Sequence, residues 1–144
     1  MFKLFLVLTF LSLPAFAEDS RELILERHTR SGYVMPEHYF KKDCTIYRNG
    51  DVEVTIQTAD SGSGFTAKIH RRTVWEINQL LRVAKRRAII VGPVMCDGGD
   101  DIVTGHRAGR SILVKQQKDC ASNKWRKGWA AERLRKHAER ICGF

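Results

Sequence analysis

Four cysteines, Cys44, Cys96, Cys120 and Cys142, constrain this chain most, because of the segment that precedes them. Residues 1–17 read as an export leader. Met1-Phe2-Lys3 gives a short positive start, residues 4–13 are almost wholly apolar, and Pro14-Ala15-Phe16-Ala17 ends in an Ala-x-Ala signature before Glu18-Asp19-Ser20. Charge, apolar core and small residues at the cut are what a signal peptidase reads. The apolar run is about half the roughly 20 residues a membrane span needs. The expectation is an exported chain, periplasmic or extracellular, with no integral membrane segment once the leader is removed.

Export changes how the cysteines are read. An even number in an oxidising compartment predicts two disulfides, and four cysteines allow three connectivities. The pairing expected is Cys44–Cys96 with Cys120–Cys142, the second pinning the last helix to the strand before it. The cysteines are widely spread and no Cys-x-x-Cys pair occurs, which argues against zinc. With every cysteine paired, none remains as a nucleophile.

Residues 18–144 have the size of one domain with a modest core. The fold expected is α+β: a small antiparallel sheet of two hairpin or meander units, covered by two helices and stapled by the disulfides. Residues 22–30 read as a strand or a short helix, and residues 33–42 as an irregular connection. Cys44-Thr45-Ile46-Tyr47-Arg48 leads into Asn49-Gly50, then Val52, Val54 and Ile56 alternate with Glu53, Thr55 and Gln57. Asn-Gly between alternating runs is the strongest short hairpin signal. Asp60-Ser61-Gly62-Ser63-Gly64 turns into a third strand through Phe65, Ala67 and Ile69.

Thr73-Val74-Trp75-Glu76 has the form of a capping box and predicts a helix to about Arg87. Its apolar stripe is Val74, Ile77, Leu80, Leu81 and Ala84, with Trp75 on the far side. Lys85-Arg86-Arg87 suits the negative end of the helix dipole. Residues 88–91 read as a short strand ending at Gly92-Pro93. Residues 102–104 and 111–115 read as a second hairpin around Arg107-Ala108-Gly109. The last helix is expected to begin between Asn123 and Trp129 and end near Cys142. Its stripe is Ala130, Leu134, Ala138 and Ile141, and Gly143 supplies a left-handed cap.

Charge is distributed unevenly. Residues 18–106 hold 13 Lys/Arg and 13 Asp/Glu, whereas residues 107–144 hold 11 Lys/Arg against Asp119, Glu132 and Glu139. Such asymmetry points to a polyanion, an anionic surface or an acidic protein. The expected binding residues are Trp125, Arg126, Trp129, Arg133, Lys136 and Arg140. Arg133, Lys136 and Arg140 fall opposite the apolar stripe, and a helix reaching back far enough places both tryptophans on the same side. Exposed tryptophan beside arginine is a common composition for a binding hot spot.

Catalytic signals are weak. His28, His38, His70, His106 and His137 are scattered, and no nucleophile elbow, zinc helix or phosphate loop occurs. A ribonuclease-like enzyme, in which two histidines and a lysine share acid, base and phosphate roles, rests on size and charge alone. Asp97, Asp100 and Asp101 lack calcium-loop spacing and read as an acidic turn beside a disulfide. No cofactor, metal or catalytic residue is expected. The leading reading is a small interaction protein, an inhibitor or periplasmic adaptor binding a protein partner, with residues 60–64 and 95–101 as exposed loops. The second is a binder of nucleic acid, anionic glycan or lipid headgroups through the basic C-terminal helix.

Overall fold

The structure, a computed structural model, describes residues 21–32, 34–96 and 98–143. The expected leader lies outside them. The elements run β1 (Leu23–Arg30), a 3-10 turn (Pro36–His38), β2 (Phe40–Tyr47), β3 (Asp51–Thr58), β4 (Gly62–Lys68) and α1 (Arg71–Ala84). They continue as β5 (Ile89–Met95), β6 (Asp100–Arg107), β7 (Arg110–Gln117), β8 (Ala121–Arg126) and α2 (Trp129–Cys142).

The small α+β sheet of two hairpin or meander units does not form. All eight strands join one antiparallel sheet in the order β4-β3-β2-β1-β6-β7-β8-β5. Among the described residues 50% are strand and 26% helical. The join is β1 against β6, from Leu25 opposite Gly105 to Arg30 opposite Asp100. β1 pairs with β2 on its other side, so it is an interior strand. Leu25, Arg27 and Thr29 are its buried positions, and a register shift between Leu23 and Leu25 accompanies burial of both Ile24 and Leu25. Hairpins leave local signatures; a pairing between strands some 80 residues apart leaves none.

The Asn49-Gly50 turn forms: Gly50 has φ 89°, and the Asn49 side chain accepts a hydrogen bond from the Asp51 N–H at 2.9 Å. The β6–β7 hairpin closes on Ala108 (φ 48°) and Gly109 (φ 68°). β5 runs on through Gly92-Pro93, although the sequence suggested a stop there. The proline is tolerated because β5 is the sheet edge and its register shifts between Val91 and Val94.

α1 starts three residues earlier than the capping box implied. His70 is the N-cap, its Nδ1 accepting from the Arg72 N–H at 3.1 Å, so Thr73 lies inside the helix. Val74, Ile77, Leu80, Leu81 and Ala84 are buried and Trp75 is exposed. The helices pack on each other, and both reach β1 and β7. α2 begins only at Trp129, after Gly128 at φ 106°, and ends at Gly143 in the left-handed region.

Leu81 of α1 seats directly on Gly105 of β6: a Cβ at Gly105 would stand 2.0 Å from Leu81 Cδ2. Gly105→Ala is expected to destabilise by about 1–3 kcal/mol through overpacking. Adding Leu81→Ala should cost less than its effect alone, because the clash disappears with it. Urea midpoints of the two single variants and the double variant test this coupling.

The disulfides are Cys44–Cys142 and Cys96–Cys120, not the pairing expected. The cause is β8, which sequence reading missed. It pairs with β5, Ala121 opposite Met95, and so brings Cys120 beside Cys96. α2 then carries Cys142 back to β2, where both half-cystines are buried. No helix among the described residues is long and apolar enough to cross a membrane.

Candidate functional site

β8 lies between β7 and the edge strand β5, and it carries Trp125. Trp125 stands across from Lys115 on β7 and Ile90 on β5. Its ring lies against Gly92: a Cβ there would come within 2.5 Å of the indole. Gly92 therefore makes room for the tryptophan. Trp125 remains 40% exposed, and Trp129 at the start of α2 is 58% exposed. β5 beside them is apolar and open to solvent at Ile89, Val91, Val94 and Met95.

A cleft of about 480 Å³ runs between the start of α2 and strands β7 and β8. Lys115, Lys124, Trp125, Lys127, Glu132 and Arg135 line it. Lys115 is held by Asp101 at 2.5 Å, and Arg135 by Glu132 and Glu139. Lys124 and Lys127 make no ion pair with the described residues. Asn123 also lines the cleft, and its Oδ1 is buried with no hydrogen-bond donor among the described residues.

The six residues expected to bind do not share one helix face. Trp125 and Arg126 are on a strand, and only Trp129, Arg133, Lys136 and Arg140 are on the helix. Arg126 holds the structure together. Its Nε donates to the Leu113 carbonyl and its Nη1 to the Arg87 carbonyl, both at 2.7 Å, with Ala84 and Lys85 at 3.4 Å. The Ala84, Lys85 and Arg87 carbonyls are the open ones at the end of α1, which a cation satisfies well. Burial lowers the Arg126 pKa.

The helix cations are also engaged. Arg133 pairs with Glu76 of α1, and Lys136 with Glu132 at 3.7 Å. Arg140 donates to His137 Nδ1 at 3.0 Å, which leaves the ring proton on Nε2, 3.3 Å from Glu76. The His137 hydrogen bond is the largest influence on Glu76 and holds its carboxyl below the ordinary range; burial opposes it, and the charges of Arg133 and Arg140 add to the lowering. Glu76, expected to cap its own helix, ties α1 to α2 instead.

Of the five histidines, two come together. His28 and His106 flank Glu26, at 3.3 and 2.9 Å, and His28 also meets Asp43 at 2.6 Å. Burial is the largest single influence on Asp43 and raises its pKa. Hydrogen bonds from His28 and Lys41 outweigh it, and the carboxyl lies below its usual range. By alternation with buried Leu25 and Arg27, these groups lie on the sheet face away from the helices.

The acidic segment forms internal pairs. Asp100 meets Arg30 and accepts from the Asp119 N–H, and Asp101 meets Arg27 and Lys115. Asp97 lies outside the described residues. Among these residues, Cys96, Asp119 and Cys120 have metal-ligand spacing, but both sulfurs are spent in a disulfide.

Sequence reading missed the open β5 edge because it stopped the strand at Gly92-Pro93 and placed Met95 in a loop, whereas β5 runs from Ile89 to Met95. Compared with protein-family models, curated proteins and solved structures, the chain matches none.

Proposed function

We propose that this chain is an exported, disulfide-tied interaction protein that acts by binding a protein partner rather than by catalysis. Its working surface is β5 with Trp125 and the neighbouring cleft, and it takes an extended, acid-bearing segment of that partner. The observation that carries this is the edge strand. Ile89, Val91, Val94 and Met95 are all exposed on the last strand of an eight-stranded sheet. An open apolar edge is a template for strand addition, and proteins normally blunt such edges with charge.

Lys124 and Lys127 beside it suit acidic side chains, and the buried Asn123 oxygen suits a backbone N–H. The leader read in the sequence and the two disulfides support export to the periplasm or the extracellular space. An inhibitor and an adaptor both use a rigid surface of this kind. The engaged cations of α2 favour this reading over polyanion binding along the C-terminal helix.

The test is capture from periplasmic or extracellular extract on the immobilised oxidised chain, washed at low and then high salt. The expected result is one protein held near one-to-one at high salt. Val91→Lys with Val94→Lys should release it by at least about tenfold, since burying a valine contributes roughly 1.5–3 kcal/mol. Arg133→Glu should retain it. Capture of nucleic acid, glycan or lipid alone, lost as salt rises, would reject the protein partner.

A further inference from the structure

We propose that the recess between the C-terminal end of α1 and the β6–β7 turn is a binding site for a tetrahedral oxyanion, a phosphate or sulfate group. The recess is about 560 Å³ and is lined by Lys85, Arg86, Arg107, Arg110 and Arg126 together with Ser111. No carboxylate lines it. A second hollow, bounded by Arg82, Arg86 and Arg87, shares Arg86 with it.

The cations come from three parts of the chain, so local sequence bias does not explain them. Lys85 and Arg86 follow α1, Arg107 and Arg110 close the β6–β7 hairpin, and Arg126 ends β8. Counting along the sequence assigns the first two to a stretch with no net charge. Folding joins them to the basic C-terminal quarter.

Two of the arginines are fixed in place. Arg107 donates to the Asn78 carbonyl at 3.2 Å, and Arg126 holds the carbonyls ending α1. Lys85, Arg86 and Arg110 are exposed and make no ion pair among the described residues. Arg107 and Arg110 are also direct cross-strand partners, and like charges so placed repel. The helix dipole offsets part of this for Lys85 and Arg86, but not for the hairpin pair.

A dianion in the recess relieves that repulsion. Guanidinium groups present paired N–H donors that match phosphate and sulfate oxygens. The lining has no aromatic ring, so recognition rests on the oxyanion rather than on stacking. This site is separate from the β5 surface, and its test does not depend on that reading.

The experiment is titration of the oxidised full chain with inorganic phosphate, followed by amide NMR and thermal melting, against acetate at equal ionic strength. Saturable one-site binding is expected, with shifts centred on Arg86, Arg110 and Ser111 and a higher melting temperature. Arg110→Glu and Lys85→Glu should each weaken binding about tenfold, the scale of one charge-assisted hydrogen bond. Each should melt no lower than the parent chain in phosphate-free buffer, which separates lost binding from lost folding. Arg133→Glu should bind normally.

Glycerol phosphate and inorganic sulfate distinguish the source. Binding of the ester assigns the site to a phosphorylated or sulfated molecule; binding of the inorganic ions alone assigns it to a free oxyanion. Equal effects of phosphate and acetate, or undiminished phosphate binding in both charge-reversed variants, would overturn the proposal.

Discussion

Replacing Cys44 and Cys142 together by alanine is expected to destabilise the chain by roughly 4–5 kcal/mol, the chain-entropy value for a loop near 100 residues. The bridge spans 98 residues and closes β2 onto the end of α2. Without it, the unfolded chain regains most of its conformational freedom, and the last turn of α2 loses its covalent hold on the sheet. Cys96–Cys120 spans only 24 residues and is expected to contribute roughly 1 kcal/mol less. It ties the edge strand to the approach to β8. Denaturant unfolding of the two double-alanine variants orders them. A larger loss for Cys96 and Cys120 would mean that the β5 edge, not the joint between α2 and β2, limits stability. A total stability of about 5–15 kcal/mol makes the first loss large enough to leave the reduced chain marginal. Disulfide mapping of the exported protein checks the premise: Cys44 must be recovered linked to Cys142.

Local features were legible in the sequence, and long-range ones were not. The Asn49-Gly50 hairpin reads directly because two adjacent residues encode it. The stripe Val74, Ile77, Leu80, Leu81 and Ala84 reads because helical spacing repeats within α1. β8 did not read, because Ser122, Asn123, Lys124 and Arg126 give it almost no apolar alternation. Its pairing with β5 supplies what its composition lacks. With β8 missing, the basic residues from Trp125 onward looked like one helical face and the wrong cysteines looked adjacent. The cations of α2 were visible; Glu76, which pairs with Arg133, was not, because it comes from α1. The recess at the end of α1 was hidden for the converse reason. Charge counting separates Lys85 and Arg86 from Arg107, Arg110 and Arg126, and only tertiary structure unites them.

Asp101→Asn is expected to destabilise by about 3–5 kcal/mol, the scale of breaking a buried ion pair by removing one partner. Arg27 is 7% exposed, and it donates to both oxygens of Asp101 at 2.8 and 3.2 Å. Lys115 donates to the same carboxylate at 2.5 Å. An amide keeps one acceptor and loses the charge that balances Arg27. The effect must also depend on pH. Burial is the strongest single influence on Asp101 and pushes its pKa up. Hydrogen bonds and charges from Arg27 and Lys115 together outweigh it and hold the carboxyl below its usual range. A depressed folded pKa adds stability that is complete above the unfolded value, about 3.9, and disappears as pH falls through the folded one. The parent chain should therefore lose stability across that acid window, while the variant loses less. The gap between their urea midpoints should be widest near neutrality and narrow on acidification. A gap unchanged from neutral to acid pH would mean that the carboxylate charge does not support Arg27. The substitution also releases Lys115 into the cleft beside Trp125, so it should strengthen binding of an acidic segment there even as it weakens the fold. Measured together, affinity and stability moving in opposite directions would separate the role of Lys115 in the cleft from its role in the core.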